Sequence, residues 1–181
     1  MSDQTLSDFD IKKAVQEVIN LMGIAARTAP KSAGKDFVVV KAIYGDDIQK
    51  LSNEMYRYSR ETGKRNFDRD GKSVNDSQAV LLIGIKNAKP VGLNCGACGF
   101  STCSEMHTHR GSEFDGPSCA FRLLDMGIAI GSAVKTASIL NVDNRIMYRA
   151  GVAAKNIGLI DADFIMGIPL SVTGKNIYYD R

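Results

Sequence analysis

Apolar residues near the start of the chain first repeat at helical spacing and then form a near-continuous run. A helix is predicted over about residues 11–27, because apolar residues recur there every three or four positions. These positions are Ile11, Val15, Val18, Ile19 and Met22. Ser7, Asp8 and Asp10 precede this helix as candidate N-caps. The near-continuous apolar run of residues 37–43 then predicts a buried strand.

The middle of the chain alternates apolar and polar segments. A second amphipathic helix follows Asp46 or Asp47 as its cap, with Ile48, Leu51, Met55 and Tyr58 on one face. Residues 60–76 are polar and punctuated by glycine, which predicts an exposed loop with at most one short helical turn. The apolar run of residues 79–86 predicts a second buried strand, which leads directly into a segment rich in cysteine.

The last third of the chain contains the longest apolar stretch. Residues 120–140 predict a helix that is buried or forms a dimer interface, because they are apolar on nearly every side. A short strand over 145–148, a short helix over 151–159 and a strand over 163–170 follow, and then an extended polar arm. The alternation of strands and helices favours a mixed sheet flanked by helices.

Composition narrows the classes of protein. A chain of 181 residues with 44% hydrophobic content fits one domain over residues 1–181, with residues 88–119 as an inserted segment. The net charge of +3 is spread along the chain, so we expect neither nucleic acid nor a membrane as a partner. The polar opening MSDQTLSDFD does not resemble a secretory signal, so we expect a cytoplasmic protein.

All four cysteines fall within 25 residues, in the pattern C-x2-C-x4-C-x15-C. They are Cys95, Cys98, Cys103 and Cys119. Four such thiols can form two disulfides, bind zinc or hold an iron–sulfur cluster. Gly96 and Gly99 each follow a cysteine, where glycine lets a loop fold tightly around an inorganic core, so the pattern favours the cluster. His107 and His109 are expected on the surface or beside the ligands, because four thiolates already complete a ligand set.

The run NCGACGFSTC, completed by Cys119, resembles the four-cysteine domain of Rnf-type electron-transport subunits and corrinoid iron–sulfur proteins. The glycines as well as the cysteines agree with that domain's pattern. The resemblance implies a [4Fe-4S] cluster with the four cysteines as ligands.

Most of the chain outside this segment is similar to nitroreductase-type flavoproteins. The similarity lies in MGIAARTAPKSAGKDFVVV, DMGIAIGSAVKTASILNV and IGLIDADFIMGIPLS. It implies an α+β homodimer with FMN at the interface and NAD(P)H as a hydride donor. The implied flavin contacts are Arg27, Pro30, Lys31, Ser32, Ala33, Arg149, Ala150 and Gly151, with Lys175 and Arg181 at its phosphate. The ending GIPLSVTGKNIYYDR also resembles a small family of uncharacterised ferredoxin-domain proteins that join this scaffold to the cysteine segment.

The chain departs from the nitroreductase pattern at two places. Lys12 and Lys13 stand where that family has an arginine pair, and Gly34-Lys35 replaces the usual asparagine of the turn. Lysine offers a point charge instead of a bidentate fork, which weakens the expected grip on a phosphate. The leading hypothesis is an oxidoreductase or electron-transfer protein that binds one [4Fe-4S] cluster on a nitroreductase-like scaffold. If FMN is bound too, electrons would pass between the cluster and the flavin, with NAD(P)H or a redox protein as partner. A ferredoxin-like carrier or redox sensor without flavin is the alternative, and a zinc-stabilised structural protein is the third.

Overall fold

The computed structural model describes residues 7–179, which form a four-stranded antiparallel sheet between two layers of helices. The helices are α1 Asp8–Thr28, α2 Asp46–Thr62, α3 Phe67–Asn75, α4 Ala120–Ile139 and α5 Tyr148–Asn156. The strands are β1 Val38–Ile43, β2 Ala79–Ile85, β5 Asp143–Asn144 and β6 Phe164–Ser171, with β3 His109–Arg110 and β4 Asp115–Gly116 as a separate hairpin. None of the helices within the described residues has the length and apolarity needed to cross a lipid bilayer.

The strand β2 lies at the centre of the molecule between β1 and β6, and all seven of its residues are buried. Alternate residues point to opposite faces, so Leu81 and Ile83 enter one core while Val80 and Leu82 enter the other. Helices α1 and α4 cover the first core, and α2, α3 and α5 cover the second. The apolar run in the sequence follows from this burial on both faces.

The α+β class is confirmed, but each strand pair among residues 7–179 is antiparallel, whereas we expected a mixed sheet. The difference has its origin in α3, which lies inside the predicted loop of residues 60–76. A single crossover helix returns the chain for a parallel strand. Here the packed pair of α2 and α3 returns it to the end where β1 finished, so β2 runs in the opposite direction.

Tertiary contacts explain why α3 was missed in a polar segment. The side chains of Phe67 and Val74 are fully buried in the second core. Between them Asp70 is also buried, and it accepts hydrogen bonds from Arg69 and from Arg149 of α5, at 2.9 Å in each case. The helix therefore depends on partners outside its own sequence.

The remaining differences lie near the end of the chain. The strand predicted at 145–148 is reduced to a single bridge from Met147 to Gly167, and β5 lies just before it. The terminal arm is not simply extended and polar, because Tyr178 is buried in the second core with its hydroxyl 2.8 Å from Ser77 Oγ. This burial raises the pKa of the Tyr178 hydroxyl. At the first helix, Ser7 forms the N-cap, in a capping box with Asp10.

Helix α5 approaches β6 unusually closely at Gly151. A Cβ atom built on Gly151 would lie 1.9 Å from the carbonyl oxygen of Ile165, a backbone atom that cannot turn away. Only glycine fits this contact. By comparison, a Cβ on Gly23 of α1 would meet only Val40 Cγ1, at an ordinary 3.9 Å.

We therefore expect Gly151→Ala to lower the free energy of unfolding by about 2 kcal/mol or more, because the helix must move away from the strand. Gly23→Ala is the matched control and should leave stability unchanged or slightly raised, since alanine favours a helix. Urea denaturation of both variants checks this. Equal stability of the Gly151→Ala and Gly23→Ala proteins would contradict the packing described here.

Candidate functional site

The cysteine segment connects the end of β2 to the start of α4. Cys95 is exposed, Cys98 and Cys103 are half-buried, and all four cysteines are free thiols. Cys119 is the N-cap residue of α4 and is only 5% exposed. The core therefore holds the segment at both ends. Its last cysteine lies at the start of α4, and its first three cysteines lie in a surface loop.

The loop that carries the first three cysteines is built from left-handed backbone positions. Gly92, Asn94, Gly96 and Gly99 have φ values of 97°, 49°, 72° and 90°. A Cβ atom on Gly92 or Gly99 would meet nothing within 4 Å, so glycine is needed there for the backbone conformation and not for space. Successive turns of this kind wrap a chain around a centre and direct peptide N–H groups inward.

Asn94 joins the two halves of this loop. Its side-chain Oδ1 accepts a hydrogen bond from the backbone N–H of Cys103 at 2.8 Å. Its own backbone N–H donates to Cys103 Sγ at 3.4 Å. A peptide N–H that donates to sulfur stabilises a ligand thiolate and tunes the metal that it binds.

The donor chemistry of this segment therefore fits a thiolate-ligated cluster. The side chains are not gathered, however: within residues 7–179 no group of three His, Cys, Asp or Glu is arranged closely enough to hold a metal ion. The assignment of Cys95, Cys98, Cys103 and Cys119 as ligands stays a prediction. His107 and His109 both lie exposed on the surface, where the sequence placed them.

A buried ion pair connects the cysteine segment to the turn after α1. Arg122 is 1% exposed and its Nη1 lies 2.9 Å from Asp125 Oδ2, one turn further along α4. Arg122 Nη1 also donates to the carbonyl of Ser32 at 2.9 Å, and Nε donates to the carbonyl of Lys89 at 2.9 Å. The guanidinium also lies over the ring of Phe37, 4.8 Å from its centre. It therefore holds the beginning of the segment, the start of α4 and the 32–35 turn together.

The turn after α1 contains four of the predicted flavin contacts, Pro30, Lys31, Ser32 and Ala33, and the polar side chains among them already have partners within the chain. Both the N–H and the hydroxyl of Ser32 donate to Asp125 Oδ1, each at 2.7 Å. Lys31 Nζ donates to the carbonyls of Ala26 and Arg27 at 2.8 and 2.6 Å and so caps the end of α1. Ala33 has a left-handed φ of 54° and is exposed, as is Pro30.

Arg27 is also engaged within the chain, by an ion pair with Asp36 at 2.8 Å. Partial burial on its own would raise the pKa of Asp36, but hydrogen bonds from Arg27 and from the Val38 N–H lower this pKa below its usual value. The pair is largely exposed, so its contribution to stability is small. A phosphate or a flavin at this turn would compete with Asp36 for the guanidinium.

The second group of predicted flavin contacts lies on the other face of the sheet. Arg149 Nη1 donates to Asp70 at 2.9 Å and Nε to the carbonyl of Arg65 at 3.1 Å. Ala150 and Gly151 are buried between α5 and β6. Within one chain the structure does not bring these residues to the turn, which packs on α4 on the opposite face. Lys175 lies in the exposed tail, and Arg181 lies outside the described residues.

Sequence reasoning missed Arg122, Asp125 and Asn94. The signal for the first two was an oppositely charged pair three residues apart inside the otherwise apolar stretch AFRLLDMGIAIG. Charged residues are almost never fully buried unless they are paired, so this pattern predicts a buried ion pair. No comparable signal marks Asn94, whose role depends on the conformation of the loop.

The chain is similar in sequence to one protein family and to one protein of known sequence. The family described as "Uncharacterized protein containing a ferredoxin domain (DUF2148)" matches residues 115–181. An uncharacterized protein of Archaeoglobus fulgidus is 48% identical over 179 residues, which cover 97% of each chain.

Solved structures of nitroreductases share the fold at low sequence identity. A nitroreductase with bound FMN from Desulfitobacterium hafniense DCB-2 is 13% identical, with a TM-score of 0.57 over 96% of this chain and 82% of that one. An FMN-dependent nitroreductase from Mycobacterium smegmatis in complex with NADPH is 11% identical, with a TM-score of 0.59 over 88% of this chain and 78% of that one. The nitroreductase-like α+β fold expected from the sequence is thereby confirmed.

Removal of the buried guanidinium by Arg122→Met should lower the free energy of unfolding by about 3–5 kcal/mol, because Asp125 is left buried without its counter-ion. The double variant Arg122→Met/Asp125→Leu should recover part of this loss, but not all, since Ser32 then loses its acceptor. A double-mutant cycle by urea denaturation measures the coupling. Lys72→Met, at an exposed pair, serves as the control with little change. Additive effects of the two buried substitutions would contradict a direct interaction.

Proposed function

This chain belongs to the family of uncharacterized proteins that contain a ferredoxin domain, and on that premise we propose that it is a redox protein binding one [4Fe-4S] cluster. The proposed ligands are Cys95, Cys98, Cys103 and Cys119. The observation that carries the proposal is the left-handed loop of residues 92–99, in which Asn94 donates its N–H to the sulfur of Cys103. Such a loop supplies thiolates together with the N–H groups that stabilise them.

The chemistry of the segment favours the cluster over the other two thiol sites. All four cysteines are free, so no disulfide accounts for their clustering. The spacing after Cys103 departs from the paired C-x2-C motifs of structural zinc sites. A [4Fe-4S] cluster would supply one-electron transfer, while the chain positions the thiolates and shields the buried Cys119 from solvent.

An FMN-dependent oxidoreductase is the finer form of this proposal. Both solved structures compared above are described as FMN proteins and share the fold, which supports a flavin. The sequence similarity to nitroreductases implies the 30–35 turn as its position. When bound, FMN would connect the hydride chemistry of NAD(P)H with one-electron chemistry. The turn lies next to the start of α4, because Ser32 bonds to Asp125 and Arg122, so it is close in structure to Cys119.

A homodimer is part of the same proposal. The side of α4 turned away from α1 and the sheet exposes Leu124 and Ile128, at 59% and 48%. Gly127 lies between these two residues in the sequence, and Gly131 follows them. A Cβ atom built on either glycine would meet no neighbouring atom. A second copy of this chain would cover this apolar stripe, and small residues allow helices to approach closely. We call Leu124, Gly127, Ile128 and Gly131 the α4 stripe.

A carrier or sensor without flavin is the second candidate, and one observation favours it. The N–H and hydroxyl of Ser32, the ammonium of Lys31 and the guanidinium of Arg149 already have partners within the chain. A flavin would have to replace these bonds, each of which must be broken before a new one forms.

The cluster is tested by anaerobic purification with iron, sulfide, zinc and flavin measured on one sample. We expect about four iron and four sulfide per chain and visible absorption. Cys98→Ala should lose most of this iron, whereas His107→Ala, in the same segment, should keep it. A Cys98→Ala protein with its full iron and sulfide would contradict the ligand assignment, and zinc in place of iron would exclude the cluster. Iron without extractable flavin would favour the carrier or sensor.

The dimer is tested by placing a charge in the α4 stripe. Leu124→Glu/Ile128→Glu should give a monomer in analytical ultracentrifugation, because two carboxylates cannot be buried against a second apolar helix. Ile157→Glu, at an exposed isoleucine that lies after α5, is the control and should stay dimeric. If the wild-type protein is itself monomeric at micromolar concentration, this part of the proposal fails.

A further inference from the structure

A cavity of about 970 Å³ lies between the end of α2 and residues 106–118 of the cysteine segment. This volume is at the upper end of the range of small-molecule sites. Its lining is mostly polar, and it is not one of the regions where flavin contacts were predicted.

Two of the carboxylates in the cavity wall are satisfied by cations of the chain. Glu113 accepts from Lys64 at 2.6 Å and from the hydroxyl of Tyr58 at 3.0 Å. Asp115 accepts from Lys155 at 2.6 Å. These three partners come from α2, the segment after it and α5, so they hold the hairpin of β3 and β4 against the helical layer.

The other two carboxylates in the wall also accept hydrogen bonds from the chain. Asp163 accepts from the backbone N–H of Asn87 at 2.6 Å, and Glu61 accepts from Arg57. Every acidic side chain that lines the cavity therefore has a donor of its own. A cationic ligand would have to displace these donors.

The basic side chains are not all satisfied. Lys89 and Arg110 line the same cavity, and both are exposed to solvent. Neither side chain has a hydrogen-bonding or ionic partner among residues 7–179. The side chain of His109 lines it too, also without a hydrogen-bonding partner among the described residues. The ammonium and guanidinium groups together offer eight N–H donors, so the cavity has donors in excess.

Both cationic residues are held by ordered backbone. The carbonyl of Lys89 accepts a hydrogen bond from the buried Arg122. The backbone of Arg110 pairs with the backbone of Asp115 between β3 and β4 of the hairpin. Phe114, in the hairpin turn, packs on Phe164 of β6 with ring centres 4.5 Å apart. A ligand bound here would therefore pay little entropy for ordering the main chain.

From these contacts we infer that the cavity binds a small organic anion, whose carboxylate or phosphate oxygens accept from Lys89 and Arg110. Both groups match such oxygens, and arginine matches them in a bidentate fork. The site is bounded by residues that directly precede Cys119, so the anion lies beside the cysteine segment. The inference does not depend on the cluster, because neither cation is a proposed metal ligand.

The test is calorimetric titration of the anaerobically purified full chain at low ionic strength with two probes, inorganic phosphate and succinate. We expect one of them to bind with a Kd below about 1 mM, and the preferred probe identifies the phosphate or carboxylate class. Lys89→Met/Arg110→Met should weaken binding at least about tenfold, because two charge-assisted hydrogen bonds are lost. Lys89→Arg keeps the charge and should still bind.

The matched control is Arg60→Met/Lys135→Met, which also removes one arginine and one lysine. Both are exposed, without partners among the described residues, and outside the cavity lining. The control should bind within about twofold of wild type. If both double variants weakened binding equally, general surface charge would explain the binding, which would contradict a specific site. If the wild type bound neither probe, the inference would be overturned. Iron measured on each sample separates these outcomes from loss of the cluster.

Discussion

The buried guanidinium of Arg122 joins three parts of the chain that lie far apart in the sequence, and their packing depends on it. A buried charge costs several kcal/mol unless a counter-ion and hydrogen bonds offset its desolvation. Asp125 supplies the counter-ion. The carbonyls of Ser32 and Lys35 accept further hydrogen bonds from Nη1 of Arg122, and the carbonyl of Lys89 accepts one from Nε of Arg122. Since Lys89 precedes the cysteine loop and Arg122 follows Cys119 by one helical turn, the same side chain fixes both ends of the segment. A long loop can then be carried on a rigid core at a modest entropic cost.

The pattern of apolar residues was sufficient to predict the elements that face a core. Helices α1 and α4 and strands β1, β2 and β6 lie where the sequence placed them, because their apolar residues repeat at the spacing of a buried face. The pattern failed where an element depends on other parts of the chain. Helix α3 has a polar sequence, and it is stabilised by the burial of Phe67 and Val74 and by an ion pair across to Arg149. The direction of β2 depends on α3, so one missed helix also changed the expected sheet.

The sequence was sufficient to predict which residue types form the candidate site, but not which groups their side chains contact. The glycines and cysteines could be identified because a left-handed turn and a thiolate each require a particular residue. The sequence does not show that Ser32 already donates its hydrogen bonds within the chain, because the acceptor is Asp125, 93 positions away. Arg149 was expected at a flavin, but its guanidinium lies over the rings of Phe67 and Tyr148 and pairs with Asp70. Long-range pairing of polar groups leaves no periodic signal in a single sequence.

The two layers of helices also bear on where a flavin would bind. The 30–35 turn, the start of α4 and Cys119 lie on one face of the sheet, together with the α4 stripe. Arg149, Ala150 and Gly151 lie on the other face, where Gly151 is required by the close contact of α5 with β6. Two-fold association through the α4 stripe would place the turn near the second copy, and it would leave α5 in its own layer. Packing explains the burial of Ala150 and Gly151 within one chain, and a flavin contact at Arg149, Ala150 and Gly151 stays a prediction.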